Sequence, residues 1–202
     1  MEEMGSHSSL PSVVRFAESL TGKLLIASPV MVGTPFAGAV IYICAHSDEG
    51  GAMGFVINHH LPKKVVDDLL EQLQIAQMSS VHRVLVSAGG PVDITRGFIL
   101  HSGEWQSEDG LSVTPDVTLS ASISVLKEMA EGHGPRQALL AMGHASWVPG
   151  QLEEEVLLQN SWLIAPFSRD ILFGKDFEQK WRQALASINL DPSQLTGQTG
   201  RA

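Results

Sequence analysis

Apolar residues return in two rhythms in this chain. Short apolar runs closed by Gly, Pro or acidic turns read as strands: KLLIASP (23–29), AVIYICA (39–45), MGFVIN (53–58), 84–87, GFILH (97–101) and SWLIA (161–165). The turn HSDEGGAMG joins the second and third as a hairpin, DITR (93–96) reads as a turn, and Pro115 splits the β-branched segment 111–119 or holds it at an edge. Elsewhere the period is helical. Val65/Val66, Leu69/Leu70 and Leu73 predict a helix over about 63–74, and Ile123, Leu126 and Met129 one that is capped by Ser120 and runs through Glu131. Ser168 caps a short helix, RDILF, closed by Gly174, and Phe177, Trp181, Ala184/Leu185 and Ile188 form the stripe of a helix from Asp176. VVRFAESL (13–20) reads as a further short helix, and residues 136–142 fit either period. Because short turns join neighbouring strands, a purely parallel doubly wound sheet does not fit; a mixed or antiparallel sheet with helices packed on it does.

The densest stretch runs from Gly143 to Pro166. Pro149 suits the first position of a helix, Gln151 can reach back to an open backbone donor, and Glu153, Glu154 and Glu155 face the positive end of the macrodipole. Leu152, Val156 and Leu157/Leu158 form its apolar stripe, and Asn160 ends it. Trp147 and Trp162 bracket the helix, each with one indole N–H that needs an acceptor when buried.

Composition narrows the function classes. The chain has 202 residues, 44% hydrophobic, enough for a sizeable core in one domain over residues 13–188, with a flexible tail expected over 1–12 and a disordered one over 189–202. A formal charge of −9 disfavours nucleic acid as a partner. The single cysteine, Cys44, excludes an intramolecular disulfide and a cysteine-based zinc cluster, and its apolar strand suits an inert side chain. The polar, acidic N-terminus and the lack of any span-length apolar run lead to the expectation of a cytoplasmic protein without membrane insertion.

The candidate chemistry is thin. His46, His59, His60, His101 and His144 sit near turns or strand ends beside carboxylates such as Asp48 and Glu104, but no fixed ligand spacing joins them. The Glu153–Glu155 run reads as a solvated helix start before it reads as a general base or magnesium site. Gly89-Gly90-Pro91 lacks phosphate-loop spacing and reads as a tight turn.

Three motifs in order, GKLLIASPVMVGTPFAGAVIYICAHSDEGGAMGFVIN, AGGPVDITRGFILH and GHASWVPGQLEEEVLLQNSWL, resemble the bacterial AlgH/YqgE family over about residues 22–186. The resemblance implies an α/β sandwich with a mixed, largely antiparallel, barrel-like sheet flanked by helices, and a regulatory protein without a defined biochemical activity. Val148 stands where the family form has glycine, and Ala45 and Ser47 stand where it has glutamate and asparagine, which counts against acid/base chemistry in the 45–49 loop. The expected function is therefore a non-enzymatic interaction module without cofactor, metal or catalytic set, monomeric or weakly dimeric, with an unknown protein partner. Its interaction cleft is expected to gather Pro29, Phe36, Asn58, Gly89, Gly90, Pro91, His101, Trp147, Gly150, Gln151, Leu152, Glu155, Asn160 and Trp162. The rival expectation is a small metal-assisted hydrolase using Glu153 or Glu155 with Asn160 and a histidine.

Overall fold

A computed structural model of the protein describes residues 15–74 and 84–195. In chain order its elements are β1 (Leu24–Ala27), β2 (Val40–Ser47), β3 (Gly51–Val56), α1 (Lys63–Gln72), β4 (Val84–Ala88), β5 (Val92–Ser102), β6 (Leu111–Thr114), β7 (Val117–Ser120), α2 (Ser124–Ala130), β8 (Ala138–Trp147), α3 (Gln151–Leu157), β9 (Trp162–Ala165), α4 (Arg169–Phe173), α5 (Phe177–Ser187) and α6 (Pro192–Leu195). The strands form one curled sheet in the order β6-β7-β5-β8-β3-β2-β1-β9, with β4 beside β8. Among the described residues only the β4–β8 pair is parallel, so the α/β class with a mixed, largely antiparallel sheet is what the chain adopts.

Strand alternation explains why the first runs are apolar throughout: both faces of the sheet are covered. Leu24, Ile26, Tyr42 and Phe55 point to one side, where Leu172, Phe177 and Leu185 of α4 and α5 cover them. Leu25, Ile41, Ile43 and Val56 point to the other, against Leu152 of α3 and the two bracketing tryptophans. A third cluster packs Val125, Leu126 and Met129 of α2 on Ile99 and Leu140.

β8 is the spine. Its first half pairs β4 on one edge and β5 on the other, and its second half pairs β3 through Ala52↔Trp147 and Gly54↔Ala145. The end of β4 wedges between β3 and β8: Gly89 N–H donates to Met142 O at 2.7 Å, while Gly89 O accepts from Val56 N–H at 2.8 Å. A Cβ on Gly89 would overlap Gly143 O, and one on Gly90 would overlap the His144 backbone. The glycine pair is therefore a crossing point of three backbones.

Several local expectations give way to strand pairing. Arg15–Leu20 is not helical; Leu20 N–H donates to His46 Nδ1 and Ser19 Oγ–H to His46 O, which ties the segment to β2, while Val13 and Val14 lie outside the described residues. DITR belongs to β5, which continues to Val92 across an irregularity opposite β8. Ser120 ends β7, paired with Ile99, so α2 starts only at Ser124. Residues 136–142 resolve into a strand that runs on through GHASW to Trp147. Pro149 precedes the α3 cap, which is Gly150 in the left-handed region at φ 81°. The segment expected to be a tail from residue 189 includes α6, and Leu190 and Leu195 pack on the first core cluster. The tail expected over 1–12 lies outside the described residues, as do 196–202. No helix among the described residues is long and apolar enough to cross a membrane.

Candidate functional site

Trp147 closes β8 and Trp162 opens β9, so α3 lies between two indoles on one side of the sheet. Each indole has a single donor, and one carboxylate serves both: Glu155 Oε2 accepts from Trp147 Nε1 at 3.0 Å and from Trp162 Nε1 at 2.8 Å. The rings meet edge to face at 6.1 Å, and Phe36 packs edge-on to Trp162 at 5.5 Å. Gln151 completes the set. Its amide N–H donates to Glu155 Oε1 at 2.9 Å, and its Oε1 accepts from Val148 N–H at 3.1 Å. Leu152 is buried beneath, and Asn160, at φ 52°, turns the chain so that its carbonyl accepts from Ser28 Oγ–H at 2.6 Å, beside Pro29.

The next carboxylate on α3 faces the other way. Glu153 Oε1 lies 2.9 Å from His46 Nε2, with side-chain exposures of 4% and 3%, so the acidic run is not a solvated helix start as a whole. His46 Nδ1 accepts from Leu20 N–H at 3.0 Å, which places the ring proton on Nε2, donated to Glu153. Both carboxylates that a hydrolase would draw from this helix are thus held by internal hydrogen bonds. This pair was invisible in the sequence because 107 residues separate its members. The only local hint is that Glu153 sits three residues before Val156, on the buried side of the helix.

A groove of about 520 Å³ opens where the curled sheet brings β6 over β2, β3 and β8. Cys44, Met53, Leu111, Val113, His144 and Ser146 are among its lining, which includes no carboxylate, lysine or arginine. Burial pushes the Cys44 thiol far above its ordinary range, so no thiolate is on offer near neutral pH. The His144 ring sits near Phe55 and Phe98, its Nδ1 buried without a partner. Such a surface can bind a neutral segment or molecule by shape and hydroxyl contacts.

The fourteen expected cleft residues fall into three places. Pro29, Phe36, Trp147, Gly150, Gln151, Leu152, Glu155, Asn160 and Trp162 gather around α3, and of all fourteen only Trp147 also borders the groove. Asn58, Gly89, Gly90 and Pro91 lie at or beside the β4 crossing, where Asn58 Oδ1 accepts from Val40 N–H and its amide donates to Gly38 O. His101 is fully buried in β5, with Nδ1 donating to Ser102 O at 3.1 Å and burial lowering its pKa.

The scattered histidines do not converge. His59 bonds Ala37 O and His60 stacks on Phe177. Asp48 pairs with Arg15. Partial burial pushes the Glu104 carboxyl up, but hydrogen bonds from Ser102 Oγ–H, Arg136 N–H and Arg169 outweigh it and hold it down at about 2. Among the described residues the three metal-capable side chains that approach one another are Glu128, Glu131 and His133, at the mostly exposed end of α2. Sequence reading also missed Lys180. It is fully buried, Nζ donating to Ile57 O at 3.0 Å and Leu172 O at 2.8 Å, and burial pushes it down to about 7. Its spacing from Phe177 and Ala184, three before and four after, was the available signal.

Known proteins are similar to this chain in sequence and fold. The AlgH-like family profile matches residues 24–193. A UPF0301 protein of Gluconobacter oxydans is 51% identical over 183 residues, covering 91% of this chain and 98% of the relative. One from a Jannaschia species is 42% identical over 185 residues, covering 91% and 95%. Among solved structures, the AlgH protein from Pseudomonas aeruginosa superposes with a TM-score of 0.68 at 34% identity over 100% of both chains. A crystal structure from Corynebacterium diphtheriae gives 0.68 at 20% identity over 90% and 93%, which shows the shared fold. With the profile spanning most of the chain and relatives above 40% identity, this protein belongs to the AlgH-like family.

Proposed function

We propose that this chain is a non-enzymatic regulatory module that works by binding a protein partner in the groove beside β6. The observation that carries the reading is the fate of the α3 carboxylates: Glu153 is committed to His46, and Glu155 to two indoles and Gln151. A general base or a magnesium ligand must present its oxygens to water or metal, whereas Glu153 is buried against His46 and Glu155 already accepts three internal hydrogen bonds. The neutral groove supports the binding role, and the formal charge of −9 favours a protein partner over DNA. On this reading the protein is cytoplasmic, monomeric or weakly dimeric, and influences gene expression through its partner.

Two measurements test it. A photoreactive residue in place of Leu111, which is 60% exposed at the groove rim, should capture one partner in cells of the source organism, and Ser146→Trp, which fills the groove, should abolish capture. Capture that survives the filled groove sinks the proposed site. Titration with Mg²⁺, Mn²⁺ and Zn²⁺ at micromolar protein should leave the amide resonances of α3 unmoved; saturable shifts there would favour the hydrolase instead.

A further inference from the structure

The loop after β5, Gly103–Gly110, folds back over the β6–β7 hairpin. Gly103 N–H donates to Asp116 O at 2.9 Å and Gly110 N–H to Ser107 O at 3.1 Å. Between loop and hairpin lies a second concavity of about 320 Å³, lined by Gln106, Ser107, Ser112, Thr118, Pro115 and glycine backbone. Its size is at the lower end of small-molecule sites, suited to a single ring.

Buried polar atoms without partners stand in and beside it. Thr118, only 6% exposed, lines the pocket. Ser107 Oγ is buried and has no hydrogen-bond partner among the described residues, and the exposed Gln106 amide stands at the rim. Thr118 pairs across the strands with His101, whose Nε2 is a further buried atom without a partner. Ser107 and Thr118 close on Gly110, where a Cβ would come within 2.5 Å of Ser107 Oγ and 2.8 Å of Thr118 Cγ2, so the glycine keeps the space open. Buried polar atoms in native proteins are nearly always satisfied, and a cluster of exceptions marks a place where something else binds.

The chemistry of the lining selects the ligand. No charged side chain lines the pocket, and Glu104, Glu108 and Asp109 in the same loop disfavour an anion. No carboxylate lines it to hold a cation. Hydroxyls and a primary amide both donate and accept, which matches groups that do the same. We infer that this pocket binds a small neutral polyol or a single sugar ring, its hydroxyls exchanging hydrogen bonds with Ser107, Thr118 and Gln106. The site is independent of the groove proposed for the partner, although Ser112 borders both.

The test titrates the full chain, labelled for amide resonances, with glycerol, myo-inositol and glucose, and separately with inorganic phosphate and 1-propanol. Saturable shifts centred on Gly103, Ser107, Gly110 and Thr118 are expected with at least one polyol, and none with phosphate or propanol. Thr118→Val, which removes the hydroxyl and keeps the shape, should weaken that binding about tenfold. Gln106→Ala, at an exposed position where folding is not at stake, should weaken it severalfold. Absence of shifts with all three polyols would mean that the pocket holds water only and overturns the inference. So would stronger binding of phosphate, or polyol shifts indifferent to both variants.

Discussion

Around α3, no buried polar side-chain atom among the described residues lacks a partner, whereas around the Gly103–Gly110 loop Ser107 Oγ and His101 Nε2 do. Both regions are rich in side chains that donate and accept, so composition alone would rank them alike. The first uses its carboxylates to bind its own indoles, its own histidine and its own glutamine, and so reads as scaffold. The second leaves Ser107 Oγ and His101 Nε2 unsatisfied and reads as a receptor. Acidic residues drew the eye in the sequence, but partnering distinguishes the two.

The largest expected effect concerns a buried charge held by two backbone carbonyls and an aromatic ring. Lys180 is lowered from 10.5 to about 7 by burial, so the folded state gives up its proton more readily than the unfolded chain. The resulting cost is fully present below pH 7 and is relieved as pH rises toward 10.5; at about 1.4 kcal/mol per pH unit it amounts to about 5 kcal/mol. Urea unfolding of the wild type and Lys180→Met at several pH values should therefore show the wild type gaining on the variant between pH 7 and 10. A constant difference would mean that the two carbonyls and the Phe177 ring already compensate the charge.

Within the α3 region, His46→Ala leaves Glu153 buried without its partner and should cost about 3–5 kcal/mol, while Glu153→Gln, which keeps an acceptor for Nε2–H, should cost about 1 kcal/mol. Equal losses would show that shape, and not the unpaired carboxylate, dominates. Glu155→Ala strips the acceptor from two indoles and should cost about 2–4 kcal/mol in chemical denaturation, with altered tryptophan fluorescence. The pocket side should be nearly silent: Ser107→Ala removes an unsatisfied hydroxyl and should change stability by less than about 0.5 kcal/mol. A loss above about 2 kcal/mol there would erase the contrast between the two regions.

Much of the scaffold was legible. The apolar runs marked most of the strands, the stripe from Val65 to Leu73 marked α1, and Ser168 and Asp176 cap α4 and α5 by accepting from Ile171 N–H and Gln179 N–H as their positions implied. The motifs also identified the family. Where local rules failed, a distant strand had overruled them: Ser120 pairs with Ile99 before it can cap a helix, and Ser19 and Leu20 bond His46 of β2 where the local pattern reads as a helix.

The sequence by itself determined most of the strands and helices and most of the apolar core, because period, caps and glycine act over a few neighbouring positions. Only the tertiary structure decided which polar atoms would be satisfied. His46 reaches Glu153 across 107 residues, Lys180 reaches Ile57 across 123, and Ser107 Oγ is left without a partner. A hydrogen bond forms only between groups that the sheet order brings within about 3 Å, and that order is set by pairing between segments far apart in the chain.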